Sequence, residues 1–301
     1  MTSTDHRHHL PALSTAAPPF RTVVTPGTAG WAYSGLRVLQ LAPGASARIA
    51  TGAAETLVLP LNGGCTVTTA EGDVFELTGR EDVFSRVSDF AYLPRDTAAT
   101  VASAGGGRFA LPSARCERRL PARYGPAEKV PVELRGAGQA SRQVNNLCTP
   151  ESFEADRLIC CEVLTPAANW SSYPPHKHDE ATATECELEE IYYFEVAHGP
   201  QGPGMGYQRV YGDHDRPADL LAEVRSEDVV LIPHGWHGPS MAAPGYDLYY
   251  LNVMAGPGDE RAWHITDDPA HGWVRDTWAD LPTDPRLPLC TARGTGEGEG
   301  R

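Results

Sequence analysis

Short apolar runs separated by glycine and proline dominate the hydrophobic pattern of this chain. Examples are TLVLPL, DFAYLP, RLICCEVL, EIYYFEV and DVVLIP, and the 30 Gly and 26 Pro residues are spread throughout the sequence. Runs of this length, rich in β-branched and aromatic residues and bounded by turn formers, are typical of strands. A helical period is not sustained anywhere beyond residue 30, so the pattern predicts an all-β barrel or sandwich.

The two halves of the sequence resemble each other in style. GLRVLQLAPGAS at 35–46 corresponds to ICCEVLTPAANWSSYPPH at 159–176, and DFAYLPRDTAATV at 89–101 corresponds to DVVLIPHGWHGPS at 228–240. In the second pair, a strand that ends in proline leads into a polar turn. The repeat predicts a duplicated barrel.

Composition indicates where the two predicted barrels begin and end. The polar first residues and the Gly-rich tail CTARGTGEGEGR are typical of disorder. The sequence therefore predicts four segments: a disordered N-terminus at 1–20, an N-terminal barrel at 21–145, a C-terminal barrel at 146–288 and a disordered tail at 289–301.

Charge and cysteine usage restrict the partners. The chain has 25 Lys+Arg against 39 Asp+Glu, a net charge of -14, and nucleic-acid phosphates need a basic surface instead. No apolar run is long enough to span a bilayer, and the N-terminus lacks the apolar centre of a signal peptide, so we expect a cytoplasmic protein without a membrane partner. Seven cysteines without a CxxC pair indicate neither a disulfide framework nor a thiolate zinc site.

All eleven histidines lie within the first nine residues or after residue 175, so a histidine metal site is possible only in the second half. His176 and His178 are two apart and would point to the same side of a strand. Glu190 opens the strand EIYYFEV, and His237 follows the strand DVVLIP. An HxH pair alone is more often solvated polar sequence. Together, these four residues predict a site for one divalent ion, and their donors suit Zn, Mn, Fe or Ni alike.

Several longer strings carry a resemblance to a known family. YPPHKHD, LEEIYYF, GYQRVYG, PHGWHGPSMAAPGYDLYYLNVMAGP and RAWHITDDPAHGW resemble the 5-deoxyglucuronate isomerases of the cupin superfamily, as does GWAYSGLRVLQLAPG in the first half. The resemblance implies a double-barrel (bicupin) jelly-roll fold and the metal ligands His176, His178, Glu190 and His237. Eleven residues separate His178 from Glu190, more than in generic cupins, so a loop is inserted there. Glu189 is the alternative ligand; Glu190 is favoured because it directly precedes the hydrophobic run.

The resemblance also implies a reaction. The expected activity is the aldose-ketose isomerisation of 5-deoxy-D-glucuronate to 5-dehydro-2-deoxy-D-gluconate in myo-inositol catabolism. Proton transfer from C2 to C1 needs a base, and Glu190, Glu189, Tyr249 or a hydroxide held by the ion are the candidates. The sequence does not choose among them, and a tyrosine in such a strand is more often part of the core.

The partner implied is a small sugar acid, whose carboxylate an acidic protein must bind with local cations and donors. The candidates are Arg142, Asn145, Gln208 and Arg209, although an arginine of this kind more often makes an ordinary ion pair. The N-terminal barrel, without metal ligands, would be structural. Its strands would either cover the edge of the second barrel or form a contact in a homo-oligomer.

Three other functions remain open at this level. One is a related ketol-isomerase of the 5-dehydro-4-deoxyglucuronate type, because its fold and ligands are similar. Another is an Fe(II) cupin dioxygenase, and the last is a sugar-binding cupin without catalysis. Cupins host many functions, so the fold alone does not separate these alternatives.

Overall fold

The computed structural model describes residues 6–295 and is built almost entirely of strands, as predicted. The strands up to residue 125 are β1 (His9–Leu10), β2 (Phe20–Val24), β3 (Ser34–Leu41), β4 (Ala45–Ala50), β5 (Ala54–Thr69), β6 (Val74–Arg80), β7 (Phe90–Leu93), β8 (Ala98–Ser103), β9 (Gly107–Arg115) and β10 (Arg123–Gly125). All of these except β1 form one sheet with the main order β10-β7-β5-β9-β3-β2.

The long strand β5 closes this first barrel. Its first half pairs with β7 and β9, and its second half pairs with β6 and β8. The strand bends at Gly63, which has a φ of +75°, and a Cβ there would lie 2.3 Å from the carbonyl oxygen of Gly106. Only glycine fits such a bend, which lets one strand serve both sides of the barrel.

The remaining strands build the second barrel, apart from two separate two-stranded pairs within residues 198–203 and 290–295. They are β11 (Val132–Arg135), β12 (Arg142–Cys148), β13 (Ile159–Thr165), β14 (Trp170–Ser171), β15 (His176–Lys177), β16 (Glu189–Val196), β17 (His198–Gly199), β18 (Gly202–Pro203), β19 (Gly206–Tyr211), β20 (Asp219–Val224), β21 (Val229–Ile232), β22 (Trp236–Ala242), β23 (Leu248–Ala255), β24 (Thr266–Asp267), β25 (Cys290–Thr291) and β26 (Gly294–Thr295). One sheet has the order β1-β21-β16-β23-β13-β12-β11, and it faces a second with the order β20-β19-β22-β15-β24.

Helical structure is short throughout the described range. An α-helix spans Pro26–Ala29, and 3-10 turns span His6–His8, Ala127–Lys129, Gly138–Ala140 and Gly272–Asp280. None of these helices is long and apolar enough to cross a membrane.

The sequences of the central strands, such as β16 and β23, are continuous apolar runs because both faces of these strands are buried. On β16 and β23, Tyr192 and Tyr250 face the interior of the second barrel, whereas Tyr193 and Tyr249 face a core shared by the two barrels. Successive side chains of a strand point to opposite faces, so a one-residue step moves a side chain from one core to the other. The interior of the first barrel is filled by a third apolar core.

The predicted repeat is present in the strand register. Thr56 of β5 pairs with Leu93, the residue before Pro94, and Glu190 of β16 pairs with Ile232, the residue before Pro233. Thr56 therefore occupies in the first barrel the place that Glu190 occupies in the second.

The structure differs from the predicted segment boundaries. Strand β12 crosses the expected boundary at 145/146 and pairs with β13, so the second barrel already includes β11 and β12. The described part of the N-terminus is ordered, because β1 adds to the edge strand β21. The tail is ordered as far as residue 295, where β25 pairs with β26 and Cys290 is buried. Residues 1–5 and 296–301, predicted to be disordered, lie outside the described residues.

Candidate metal centre

Three histidines meet inside the second barrel. His176 pairs directly with His237 across β15 and β22, and His178 follows two positions after His176. One nitrogen from each ring lies within 4.8 Å of the others. His178 and His237 are fully enclosed, whereas His176 is partly exposed to a cavity.

A backbone carbonyl faces the Nδ1 atom of each of these rings. The three pairs are His176 with Pro174 at 3.4 Å, His178 with Leu188 at 3.2 Å and His237 with Gly235 at 3.3 Å. Such a carbonyl favours the tautomer that carries its proton on Nδ1, since Nδ1–H then donates to it. All three Nε2 atoms are thereby suited to bind an ion, with their ring orientation fixed.

Glu190 completes the donor set. Its Oε2 atom lies 3.1 Å from Nε2 of His178 and 3.0 Å from Nε2 of His237. The second contact lacks hydrogen-bonding geometry, and Nε2 of His237 is buried without a hydrogen-bond partner. Burial opposes the charge of Glu190, but His237 and His178 outweigh it and lower the pKa of Glu190 to about 2. An ionised carboxylate beside an unpartnered imidazole nitrogen is a fitting donor set for a divalent ion.

His176 is held in its neutral form, which is the form that can bind a metal ion. Burial, followed by the proximity of His237 and His178, keeps the pKa of His176 well below its usual value. A neutral imidazole offers a lone pair to a cation, whereas an imidazolium does not.

The cluster opens into a cavity of about 410 Å³. The cavity is lined by residues from β11 to β13, β16, β23 and the segment after β23: Arg135, Arg142, Val144, Val163, Ser172, His176, Glu190, Tyr192, Tyr250, Asn252, Trp263, Ile265, Asp267 and Arg275. Imidazole and carboxylate groups therefore share one enclosed space with three guanidinium groups.

Arg142 differs from the other two arginines of this cavity. Arg135 forms two hydrogen bonds with Glu133, at 2.9 and 2.8 Å, and Arg275 forms two with Asp267. Arg142 is 5% exposed and makes no ion pair within residues 6–295; its Nη1 donates to a backbone carbonyl, and its guanidinium lies over the ring of Trp278. Burial and the nearby arginines lower the pKa of Arg142 to about 10, so the group remains a cation at neutral pH.

Three residues with hydroxyl groups, Ser172, Tyr192 and Tyr250, also line the cavity. Oγ of Ser172 lies 2.9 Å from the hydroxyl of Tyr192 and 3.2 Å from that of Tyr250. Burial raises the pKa of Tyr250 to about 12 and holds the pKa of Tyr192 well above its usual value, so both tyrosines stay protonated donors. From the sequence, tyrosines in such strands are expected in the core. Tyr192 lies two residues after Glu190 on the same strand, so its side chain points to the same face, and this spacing could have indicated that Tyr192 lines the site.

Tyr249 and Asn145 lie away from the cavity, and their predicted roles are wrong. The Tyr249 hydroxyl and the Asn145 amide both donate to the carboxylate of Glu162, at 2.8 and 3.1 Å. Arg80 of the first barrel pairs with the same carboxylate, and both charged side chains are fully buried. The odd-numbered face of β23 and of β12 is directed at the first barrel, and this is why these side chains miss the site.

Gln208 and Arg209 of β19 do not line the cavity either. Gln208 is buried and accepts a hydrogen bond from Ser240 on the neighbouring strand. Arg209 turns outward and pairs with Asp219 at 2.6 Å, the ordinary ion pair that the sequence had left open for it. The polar groups of both side chains therefore have partners on neighbouring strands of their own sheet, which has the order β20-β19-β22-β15-β24.

The two consecutive glutamates point to opposite faces of the strand. Glu190 points inward to the histidines, whereas Glu189 points to the first barrel and accepts backbone hydrogen bonds from residues 32–34.

Two barrels, the second of which encloses a histidine and carboxylate cluster, define a double-barrel cupin. Residues 10–274 match the model of the KduI/IolB family. The chain belongs to this family.

Relatives and solved structures agree with this assignment. The chain is 42% identical over 258 residues to a 5-deoxy-glucuronate isomerase of Geobacillus kaustophilus, covering 84% of this chain and 90% of the relative. It is 38% identical over 253 residues to the enzyme of the same name from Bacillus subtilis strain 168, covering 83% and 91%. The crystal structure of an IolB-like protein from Salmonella typhimurium superposes with a TM-score of 0.80 at 36% identity, over 88% of this chain and 98% of that one.

A more distant similarity supports the fold alone. Oxalate decarboxylase of Bacillus subtilis superposes with a TM-score of 0.60 at 12% identity, over 89% of this chain and 80% of that one.

Proposed function

We propose that the protein is an aldose-ketose isomerase that converts 5-deoxy-D-glucuronate to 5-dehydro-2-deoxy-D-gluconate. One observation carries the proposal: a metal-suited cluster and an unpaired, buried Arg142 line a single cavity. The substrate has an aldehyde at one end and a carboxylate at the other, and the cavity offers a metal-suited cluster for the first and a guanidinium for the second. The curated relatives with 38–42% identity carry the name of this activity.

His176, His178, His237 and Glu190 would hold one divalent ion. Bound there, the ion supplies Lewis acidity that stabilises negative charge developing on O1 and O2 of the sugar. The donor set suits Zn, Mn, Fe or Ni, and we propose an ion from this group.

Glu190 is our candidate for the base. Both histidine contacts of its carboxylate are made to Oε2, and Glu190 also lines the cavity. We infer that the Glu190 carboxylate accepts the proton from C2 and returns it to C1, while the proton of the O2 hydroxyl is transferred to O1. Glu189 and Tyr249 lie on the opposite face of the sheet, and this favours Glu190 over them as the proposed base.

Arg142 would bind the carboxylate at the other end. A planar guanidinium can hold a carboxylate through two parallel charge-assisted hydrogen bonds, and Arg142 has no acidic partner of its own in the described chain. The hydroxyls of Ser172, Tyr192 and Tyr250 lie along the cavity wall and can donate to sugar oxygens.

The experiment is incubation with 5-deoxyglucuronate, following loss of the aldehyde signal by NMR with and without a chelator. We expect turnover that stops with the chelator and returns when the ion is restored. His176→Ala should be inactive, and His198→Ala, an exposed histidine on β17, should keep full activity. Conversion only of 5-dehydro-4-deoxyglucuronate would favour the related ketol-isomerase, and Fe(II)-dependent oxygen consumption would favour a dioxygenase. The cytoplasmic location and a homo-oligomeric state stay predictions.

A further inference from the structure

The Glu189 carboxylate joins the two barrels beside the metal centre. It accepts hydrogen bonds from three consecutive backbone N–H groups of the first barrel, those of Ala32 and Tyr33 and Ser34, at 2.7, 2.8 and 2.7 Å. The Ser34 hydroxyl also donates to the Glu189 carbonyl at 3.1 Å. We call this arrangement the Glu189 clasp.

The clasp is formed at the first residue of β16, immediately before the metal-ligand candidate Glu190. The segment that leads into β16 from His178 is largely irregular, and its last residue, Leu188, donates its N–H to the His178 carbonyl at 2.8 Å. The neighbouring strands hold the backbone through the pairs Glu189 with Ala255 and Glu190 with Ile232. The clasp adds an anchor from a different barrel, on the face opposite the ion site.

The first barrel forms a similar clasp in reverse, at Glu55, whose carboxylate also accepts a hydrogen bond from the Tyr92 hydroxyl at 2.7 Å. Glu55 of β5 accepts hydrogen bonds from three consecutive N–H groups of the second barrel, those of residues 156–158, at 2.8, 2.6 and 2.7 Å. Glu55 precedes Thr56 as Glu189 precedes Glu190 in the equivalent register. Thr56 is buried, and its hydroxyl has no hydrogen-bond partner. Only one of the two clasps is therefore next to a residue that could bind an ion.

We propose that Glu189 is a positioning residue through which the first barrel fixes the carboxylate of Glu190 against the three histidines. The proposal rests on the metal site of the proposed function. In this proposal the first barrel, which has no histidine ligands, has a defined role, because it holds the end of β16 that carries Glu190. Residues that orient a ligand without touching the metal commonly change metal affinity by about 10- to 100-fold when they are replaced.

The pair of clasps provides a matched experiment. Glu189→Gln and Glu55→Gln each place an amide nitrogen against a backbone N–H, so each variant should lower the Tm of the metal-free protein by a few degrees. The Kd for Zn(II), and separately for Mn(II), is measured by competition with a chelator of known affinity. We expect Glu189→Gln to raise the Kd about tenfold or more and Glu55→Gln to leave it within about twofold of wild type.

Three outcomes would overturn the proposal. An unchanged Kd in Glu189→Gln would make the clasp a purely structural contact, and an equal rise in both variants would assign the effect to general loosening. If either variant fails to fold, Glu189→Asp and Glu55→Asp replace them, because they keep the charge and withdraw the oxygens by one methylene. The assay contains no substrate, so an inactive enzyme with the expected Kd pattern would contradict the proposed reaction and leave the role of Glu189 standing. A wild-type protein that binds neither ion would remove the metal site and this inference with it.

Discussion

Tyr249 and Tyr250 are adjacent on β23, and their hydroxyls lie on opposite faces of the same sheet. Tyr249 donates to Glu162 in the core between the barrels, whereas Tyr250 contacts Ser172 at the wall of the cavity. One residue step therefore separates a side chain that joins the barrels from one that can touch a substrate.

This relationship makes Tyr250→Phe and Tyr249→Phe a matched pair. Tyr250→Phe removes a donor to the sugar and should lower kcat/KM about tenfold, the equivalent of one hydrogen bond, with little change in Tm. Tyr249→Phe removes a hydrogen bond to a buried carboxylate and should cost about 1.5–3 kcal/mol of stability with kcat/KM near wild type. Steady-state kinetics and urea unfolding on the same preparations test both, and a kinetic defect confined to Tyr249→Phe would contradict the assignment.

The metal content is expected to be one divalent ion per chain. The described part of the first barrel has no histidine and its interior is filled by apolar side chains, so it offers no comparable donors. Elemental analysis should give a ratio near one in wild type and far below one in His176→Ala and His178→Ala, with His198→Ala as the control. Two tightly bound ions per chain, or full retention in both variants, would mean that the ligands are assigned wrongly.

Arg142→Lys should lower kcat/KM by about 10- to 100-fold, because an ammonium cannot reproduce the two parallel hydrogen bonds of a guanidinium to a carboxylate. Metal content and Tm should stay near wild type. Arg209→Lys is the control, since Arg209 makes its ion pair with Asp219 outside the cavity. Normal kinetics in folded Arg142→Lys, or equal losses in the two variants, would remove Arg142 from the substrate site.

Glu162→Gln should destabilise the protein strongly. It would leave the fully buried Arg80 without its counterion, and breaking one partner of such a pair costs about 3–5 kcal/mol. Asp219→Asn breaks the more exposed pair with Arg209 and should cost less than about 1 kcal/mol. Urea unfolding of the metal-free variants measures both, and similar small losses would show that the buried pair adds little to the joining of the barrels.

The sequence by itself determined the class of fold and the location of the metal site. Glycine and proline between short apolar runs predict strands locally, and the absence of histidine between residues 10 and 175 excludes a histidine cluster from the first barrel. HxH spacing, a strand-opening glutamate and a later histidine are also local features, and the four residues meet in the structure. Arg142 was found by chemical type, but nothing in the sequence distinguished it from Arg209.

Tertiary structure alone decided which side chains face the cavity. Glu189 and Glu190, or Tyr249 and Tyr250, are equivalent in sequence terms, because the central strands are apolar on both faces and show no alternation that would fix their register. Long-range strand pairing sets that register, and with it the partners that neutralise Arg209 and leave Arg142 unpaired. The predicted boundary between the barrels differs from the structure for the same reason. Strand β12 belongs to the second barrel because it pairs with β13, and local composition does not predict which strands pair.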